Sequence, residues 1–141
     1  MEKPNNGIVV AAYCVLETAA CGYRGVDLET GSVLFQRNYK KGERNLVEFL
    51  GLVHGAMFLK KHSLEQGFSI PKILYSESDY AIGSFERRSL VTSLLADEDS
   101  LQIFNELEHC KRWLCDNIKM LEKYSLRKWF FLEWNENPAK F

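Results

Sequence analysis

The residues able to ligate metal or act as nucleophiles are spaced for neither task among the cysteines and histidines. Cys14, Cys21, Cys110 and Cys115 include no Cys-x-x-Cys pair, and His54, His62 and His109 add no ligand pattern around them. Zinc chemistry is therefore not expected, and the thiols are expected to be free, packed or half-exposed. Among the acids, Glu48 and Glu77 have plain readings from their positions. By position alone Glu48 reads as an exposed glutamate in the second turn of a helix. Glu77 reads as an acid near the N-terminus of the next helix, where the macrodipole favours negative charge. Glu86-Arg87-Arg88 is the compact basic spot of the chain's middle, most simply a solvated helix end, and Lys140 a solvated lysine near the terminus. Trp113, Trp129, Trp134 and the nine phenylalanines read as packing groups rather than base-stacking platforms.

Composition narrows the class. The 141 residues are 46% hydrophobic and 26% charged, which suits one globular domain over 1–141 with a proper core. Eighteen basic against nineteen acidic residues give a net charge of −1. A domain living on nucleic acid usually carries a basic excess, so any such contact has to be a local patch. The opening Met-Glu-Lys-Pro-Asn-Asn-Gly has no apolar stretch of signal-peptide type, and no run approaches the roughly 18 apolar residues of a membrane span. A reducing cytoplasm without disulfides is the expected setting, with no membrane partner.

The elements that must position these residues follow from periodicity. Ile8 to Leu16 is apolar and β-branched, a buried strand after the Asn5-Asn6-Gly7 turn. A second strand runs from about Gly22 to Leu28, and Glu29-Thr30-Gly31 reverses the chain into a third, Ser32 to Tyr39. From Asn45 to about His62, Leu46, Phe49, Leu50, Val53 and Met57 recur at helical steps, with Lys60, Lys61 and His62 suiting the negative end. Lys72 to Ser76 is a short strand; Ser78 is a good N-cap for a helix over Asp79 to Glu86. Residues 89–96 are ambiguous. Asp97-Glu98-Asp99 opens a longer helix with the stripe Leu101, Phe104, Leu107, Cys110, Leu114 and Ile118, and Trp129 to Trp134 is the last strand. A meander followed by alternation predicts an α/β chain with a mixed sheet.

Three segments and the tail carry a pattern: Tyr23-Arg24-Gly25-Val26-Asp27 with Thr30-Gly31 and Leu34-Phe35; Lys41-Gly42-Glu43-Arg44-Asn45-Leu46-Val47-Glu48-Phe49-Leu50 with Val53-His54-Gly55-Ala56; Tyr75-Ser76-Glu77-Ser78; and the closing Arg127 to Phe141. Together they resemble the ribonuclease H family, in its compact bacterial type 1-like branch. The closing run aligns without a gap to the branch's ending, matching at Lys128, Trp129, Trp134, Glu136, Pro138, Ala139 and Phe141. The resemblance implies a ribonuclease-H-like fold: a five-stranded mixed sheet with helices packed on it, the first three strands antiparallel. Lys72 to Ser76 should then lie parallel beside the first strand, gathering Ala11, Glu48 and Glu77 at the sheet centre.

It also implies a chemistry. The family hydrolyses the RNA strand of RNA–DNA hybrids with four carboxylates that hold two divalent ions. Carried over, the first-strand Asp falls on Ala11, the helix Glu is Glu48, the fourth-strand Asp is Glu77, longer by a methylene, and the C-terminal Asp falls on Lys140. Glu17 lies six residues past Ala11, about 20 Å along an extended strand, too far to substitute; Asp79 is expected to serve the start of its helix, and Glu136 matches a family Glu outside the four. The family's hydroxyl-reading loop is Val15-Leu16-Glu17-Thr18-Ala19-Ala20-Cys21 here, without glycine or proline, and its paired substrate-binding asparagines become Arg44 and Asn45.

The reading that follows is a degenerate ribonuclease-H-fold protein with lost or strongly reduced nuclease activity, kept as a binding or interaction module. No cofactor is expected on this reading, and the partner is an RNA–DNA hybrid or a protein. The alternatives are an active metal-dependent ribonuclease H, with Mg²⁺ or Mn²⁺ on Glu48 and Glu77, and a nucleic-acid-binding protein that does not cut. In that first alternative Lys140 is lost as a ligand; in the leading reading its ammonium approaches Glu48 and Glu77 and takes over part of the metals' charge balance.

Overall fold

The computed structural model describes residues 2–63, 65, 67 and 70–141. Strands β1 (Ile8–Cys14), β2 (Cys21–Asp27) and β3 (Val33–Tyr39) form the antiparallel meander, and helix α1 (Arg44–His62) crosses to β4 (Ile73–Ser76). Helices α2 (Asp79–Arg87), α3 (Leu101–Asp116) and α4 (Ile118–Leu121), strand β5 (Ser125–Lys128) and the single turn α5 (Phe131–Trp134) complete the chain. The five-stranded sheet has the order β3-β2-β1-β4-β5, with β1 parallel to β4 and β4 parallel to β5. This is the mixed sheet expected from the resemblance.

Strand β1 is central and buried on both sides, which is why Ile8 to Ala12 is continuously apolar. Ile8, Val10 and Ala12 face the larger core with α1 and α3, while Val9 and Ala11 face a smaller one with Tyr75, Trp129, Trp134 and Ala139. The C-terminal segment therefore covers the sheet face opposite α1. Gly25 is needed where β2 meets β3: an added Cβ would lie 2.2 Å from the Phe35 ring. Ser78 caps α2 as its sequence predicts, its hydroxyl accepting from the Ala81 amide at 3.0 Å.

Four expectations are corrected. β1 stops at Cys14, because the chain turns at once: the Ala19 amide donates to the Val15 carbonyl at 2.8 Å and Leu16 is left exposed. The last strand is Ser125–Lys128, not Trp129–Trp134. Its pairing with β4 ends as the Trp129 amide donates to the Ser76 carbonyl at 2.8 Å, and the apolar run then coils into α5. There Trp129 and Trp134 turn inward, 5.3 Å apart, while Leu132 is 94% exposed. A strand would have alternated these side chains; the helical turn brings the two indoles to one side. The acidic triplet at 97–99 precedes α3 rather than entering it, and Asp97 and Ser100 exchange reciprocal hydrogen bonds ahead of Leu101. The α3 core face is Ile103, Leu107, Cys110 and Leu114; Leu101 is exposed and Ile118 falls in α4. Residues 89–96 form an irregular connection.

Candidate functional site

Val9 and Tyr75 are parallel register partners on β1 and β4. Two residues onward along each strand, Ala11 and Glu77 project to the same face, and both line one cavity of about 380 Å³ with Arg44 and Lys140. Glu48, on the second turn of α1, has only 3% of its surface exposed and lies within the electrostatic reach of Glu77. The helix starts at Arg44, so Arg44 and Glu48 stand one turn apart, and the Arg44 Nε is 3.7 Å from Glu48 Oε1. Glu48 Oε2 is buried with no hydrogen-bond partner.

Burial pushes the Glu48 carboxyl up to about 7; the Arg44 guanidinium pulls it down, the Glu77 charge adds to the rise, and the Ser76 hydroxyl opposes it. An ionised carboxylate with one unpaired, desolvated oxygen is costly, so near neutrality Glu48 is shared between its protonated and charged forms. Ser76 is itself fully buried and accepts from the Ser78 amide at 3.0 Å. That ties the end of β4 to the start of α2 and fixes where Glu77 leaves the strand.

The tail reaches the cavity through a set of backbone clamps. Asn137, buried, donates from Nδ2 to the Val10 carbonyl at 3.1 Å and accepts from the Ala139 amide at 2.9 Å. Arg24 on β2 donates from Nε to the Ala139 carbonyl at 2.6 Å and from Nη2 to the Lys140 carbonyl. Its guanidinium lies 4.6 Å from the centre of the Phe141 ring, which packs edge-on against Tyr13. The Asn137 and Arg24 partners explain why this short terminal run holds one course over the sheet.

Ala11, Glu77, Arg44 and Lys140 thus meet at one cavity, and Glu48 pairs with the Arg44 that lines it. The charge-balancing role expected of Lys140 is corrected: its ammonium pairs with Glu136 at 3.9 Å, and the cation beside Glu48 is Arg44. The i,i+4 spacing of Arg44 and Glu48 was the signal in the sequence for that pair. Asn45 is exposed and does not line the cavity. Glu17 lies exposed in the turn after β1, and Asp79 opens α2, where it pairs with Lys128 at 2.7 Å. Tyr13, Ser76 and Phe141 are contributors that the sequence did not single out for the site.

The divalent ions implied by the resemblance need hard oxygen donors converging at about 2.0–2.1 Å for Mg²⁺. Ala11 offers a methyl group, Lys140 an ammonium, and Glu48 a carboxyl half-protonated near neutrality beside a guanidinium. These donors do not fit the pair of ions, and among the described residues no group of three or more His, Cys, Asp or Glu is arranged to hold a metal.

No family model matches the chain. Among solved structures it is similar to the N-terminal RNase H domain of a Mycobacterium tuberculosis protein, solved as a fusion with maltose-binding protein: 14% identity, TM-score 0.44, covering 89% of this chain and 81% of that one. It is similar also to LC11-RNase H1 in complex with an RNA/DNA hybrid, at 11% identity and TM-score 0.47, covering 89% and 86% of the two chains. A third is RNase H1 from the halophilic archaeon Halobacterium salinarum NRC-1, at 12% identity and TM-score 0.41, covering 86% and 80%. With β1 to β3 antiparallel, β4 and β5 added parallel beyond β1, and α1 as the crossover, the chain has a ribonuclease-H-like fold.

Proposed function

We propose that this chain is a ribonuclease-H-fold binding module in which metal-dependent hydrolysis is lost or strongly reduced. The observation that carries the reading is the cavity at the ends of β1 and β4, where Ala11 and Lys140 line the wall with Glu77. Hydrolysis by two ions requires carboxylates at both of those places to organise the water and the leaving oxygen. The remaining acid, Glu48, is already paired with the Arg44 guanidinium at 3.7 Å, a cation that competes with a metal for the same carboxylate. Arg44 and Lys140 at the rim favour an anionic ligand, and an RNA–DNA hybrid is the one that the family resemblance implies.

The competing reading keeps activity with one ion held by Glu48 and Glu77. Calorimetric titration of the protein with Mg²⁺ and with Mn²⁺ separates the two. No binding is expected at millimolar concentrations; micromolar binding that disappears in Glu48→Ala would overturn the proposal.

A further inference from the structure

Cys14 and Cys21 are register partners, the last pair of the β1–β2 ladder. The next pair outward, Val15 and Ala20, is hydrogen-bonded, the Val15 amide donating to the Ala20 carbonyl at 2.8 Å. Antiparallel ladders alternate, so Cys14 and Cys21 form a pair of the non-hydrogen-bonded kind, in which opposed side chains stand closest. Such pairs have Cα atoms about 4.5 Å apart, inside the range of about 4.4–6.8 Å that a disulfide spans. Opposed residues share a sheet face, and both thiols are indeed on the α1 side: Cys21 is fully buried in the larger core, and Cys14 packs half-buried against it. Both are free thiols in the structure.

We propose that Cys14 and Cys21 constitute a thiol-oxidation site, which hydrogen peroxide converts to an intramolecular disulfide. Cys14 is the attacking group. It is the more accessible of the two, and although burial pushes its thiol up, the nearby Arg44 guanidinium offsets part of that rise. Burial holds Cys21 far higher, at about 12, so it ionises poorly and acts second. The Cys14 thiolate attacks one peroxide oxygen and the O–O bond breaks, giving a sulfenic acid and a hydroxide that is protonated to water. The Cys21 sulfur then attacks the sulfenic sulfur; the S–S bond forms as the S–O bond breaks, and the Cys21 proton leaves with the hydroxyl as a second water. Two thiols lose two electrons, and one hydrogen peroxide is reduced to two waters.

The other two cysteines lack this arrangement. Cys110 is buried within α3 and Cys115 is exposed one turn later on the same helix. The location also matters. Tyr13, next to Cys14, lines the candidate cavity, and Arg44 is within the electrostatic reach of Cys14. Oxidation would therefore pin the 15–20 turn at the rim of that cavity. The proposal stands on the ladder geometry and does not depend on what the cavity binds.

The test treats the full, reduced chain with equimolar hydrogen peroxide, alkylates the remaining thiols and digests after glutamate, which cuts at Glu17 between the two cysteines. Peptides holding Cys14 and Cys21 should be recovered joined, two thiols per chain should be lost to alkylation, and dithiothreitol should restore both. Cys115→Ser should leave the cross-link unchanged, while Cys14→Ser should abolish it with Cys21 still alkylatable. Oxidation that consumes Cys115 first, or a Cys14 sulfinic acid formed while Cys21 stays free, would overturn the assignment.

Discussion

At the scale of single residues, the buried Glu48 and the half-buried His54 give the chain opposing pH responses. Glu48 carries a pKa raised to about 7 by burial, so between the usual glutamate value and 7 the native state holds a proton that the unfolded chain has released. Stability conferred by the protonated form is present below that window and lost as pH rises through it. His54 is the reverse. Burial, with a contribution from Arg37, lowers it to about 4, while it shares a 2.9 Å hydrogen bond with Tyr23 and stacks on Phe35 at 4.2 Å. Its neutral form is favoured, and that stability is lost as pH falls from the usual histidine value toward 4. The two slopes oppose each other where the windows overlap. Glu48→Gln keeps the shape of the protonated acid and removes its titration. Urea unfolding should therefore find this variant close to wild type at pH 4 and more stable at pH 8, by on the order of 3 kcal/mol. A difference that does not change with pH would show that Glu48 is ionised at no unusual cost.

At the scale of elements, the tail is positioned chiefly by β1 and β2. Arg24 holds the carbonyls of Ala139 and Lys140 and lies against Phe141, while Asn137 is bound to the β1 backbone. Charge-assisted hydrogen bonds of this kind contribute about 1.5–3 kcal/mol each, less where solvent reaches them. Arg24→Ala should leave the β2–β3 amides protected and accelerate hydrogen exchange at Ala139 by about tenfold or more; unchanged exchange there would mean that Asn137 alone secures the segment. The same scale shows what sequence could convey. The meander, α1 and the Ser78 cap are specified by short-range signals, namely the turn at Glu29-Thr30-Gly31, helical spacing from Leu46 to Met57, and a hydroxyl three residues before an amide. The last strand was misplaced because Trp129-Phe130-Phe131-Leu132 has the composition of a strand, whereas Ser125-Leu126-Arg127-Lys128 pairs mainly through its backbone to β4 and needs little apolar surface. In α3 the periodicity placed Leu107, Cys110 and Leu114 in the core correctly, whereas in the first turn the buried residue is Ile103 and Leu101 is exposed.

At the scale of the whole molecule, the strand order brings Ala11 and Glu77, 66 positions apart, to one cavity wall with the tail, and α1 sets Arg44 and Glu48 at its edge. The alignment of motifs made the meeting of Ala11, Glu48 and Glu77 legible. The cation beside Glu48 was signalled only by the i,i+4 spacing to Arg44; which of Arg44 and Lys140 turns toward the acid depends on tertiary packing. With a net charge of −1, any anionic ligand has to be held by local groups such as these rather than by the field of the whole chain. Restoring oxygen donors at the altered places should restore a metal site. The triple variant Ala11→Asp, Glu77→Asp, Lys140→Asp is expected to bind Mn²⁺ in calorimetry where wild type does not; failure to bind while still folded would mean that the backbone around the cavity, and not only its side chains, has departed from a metal-binding geometry. Loss of hydrolysis is tested most directly by single-turnover incubation of an end-labelled RNA–DNA hybrid with excess protein in Mg²⁺ and in Mn²⁺. The expected result is an RNA strand that stays full-length, with wild type indistinguishable from Glu48→Gln. Cleavage by wild type that Glu48→Gln abolishes would contradict the account.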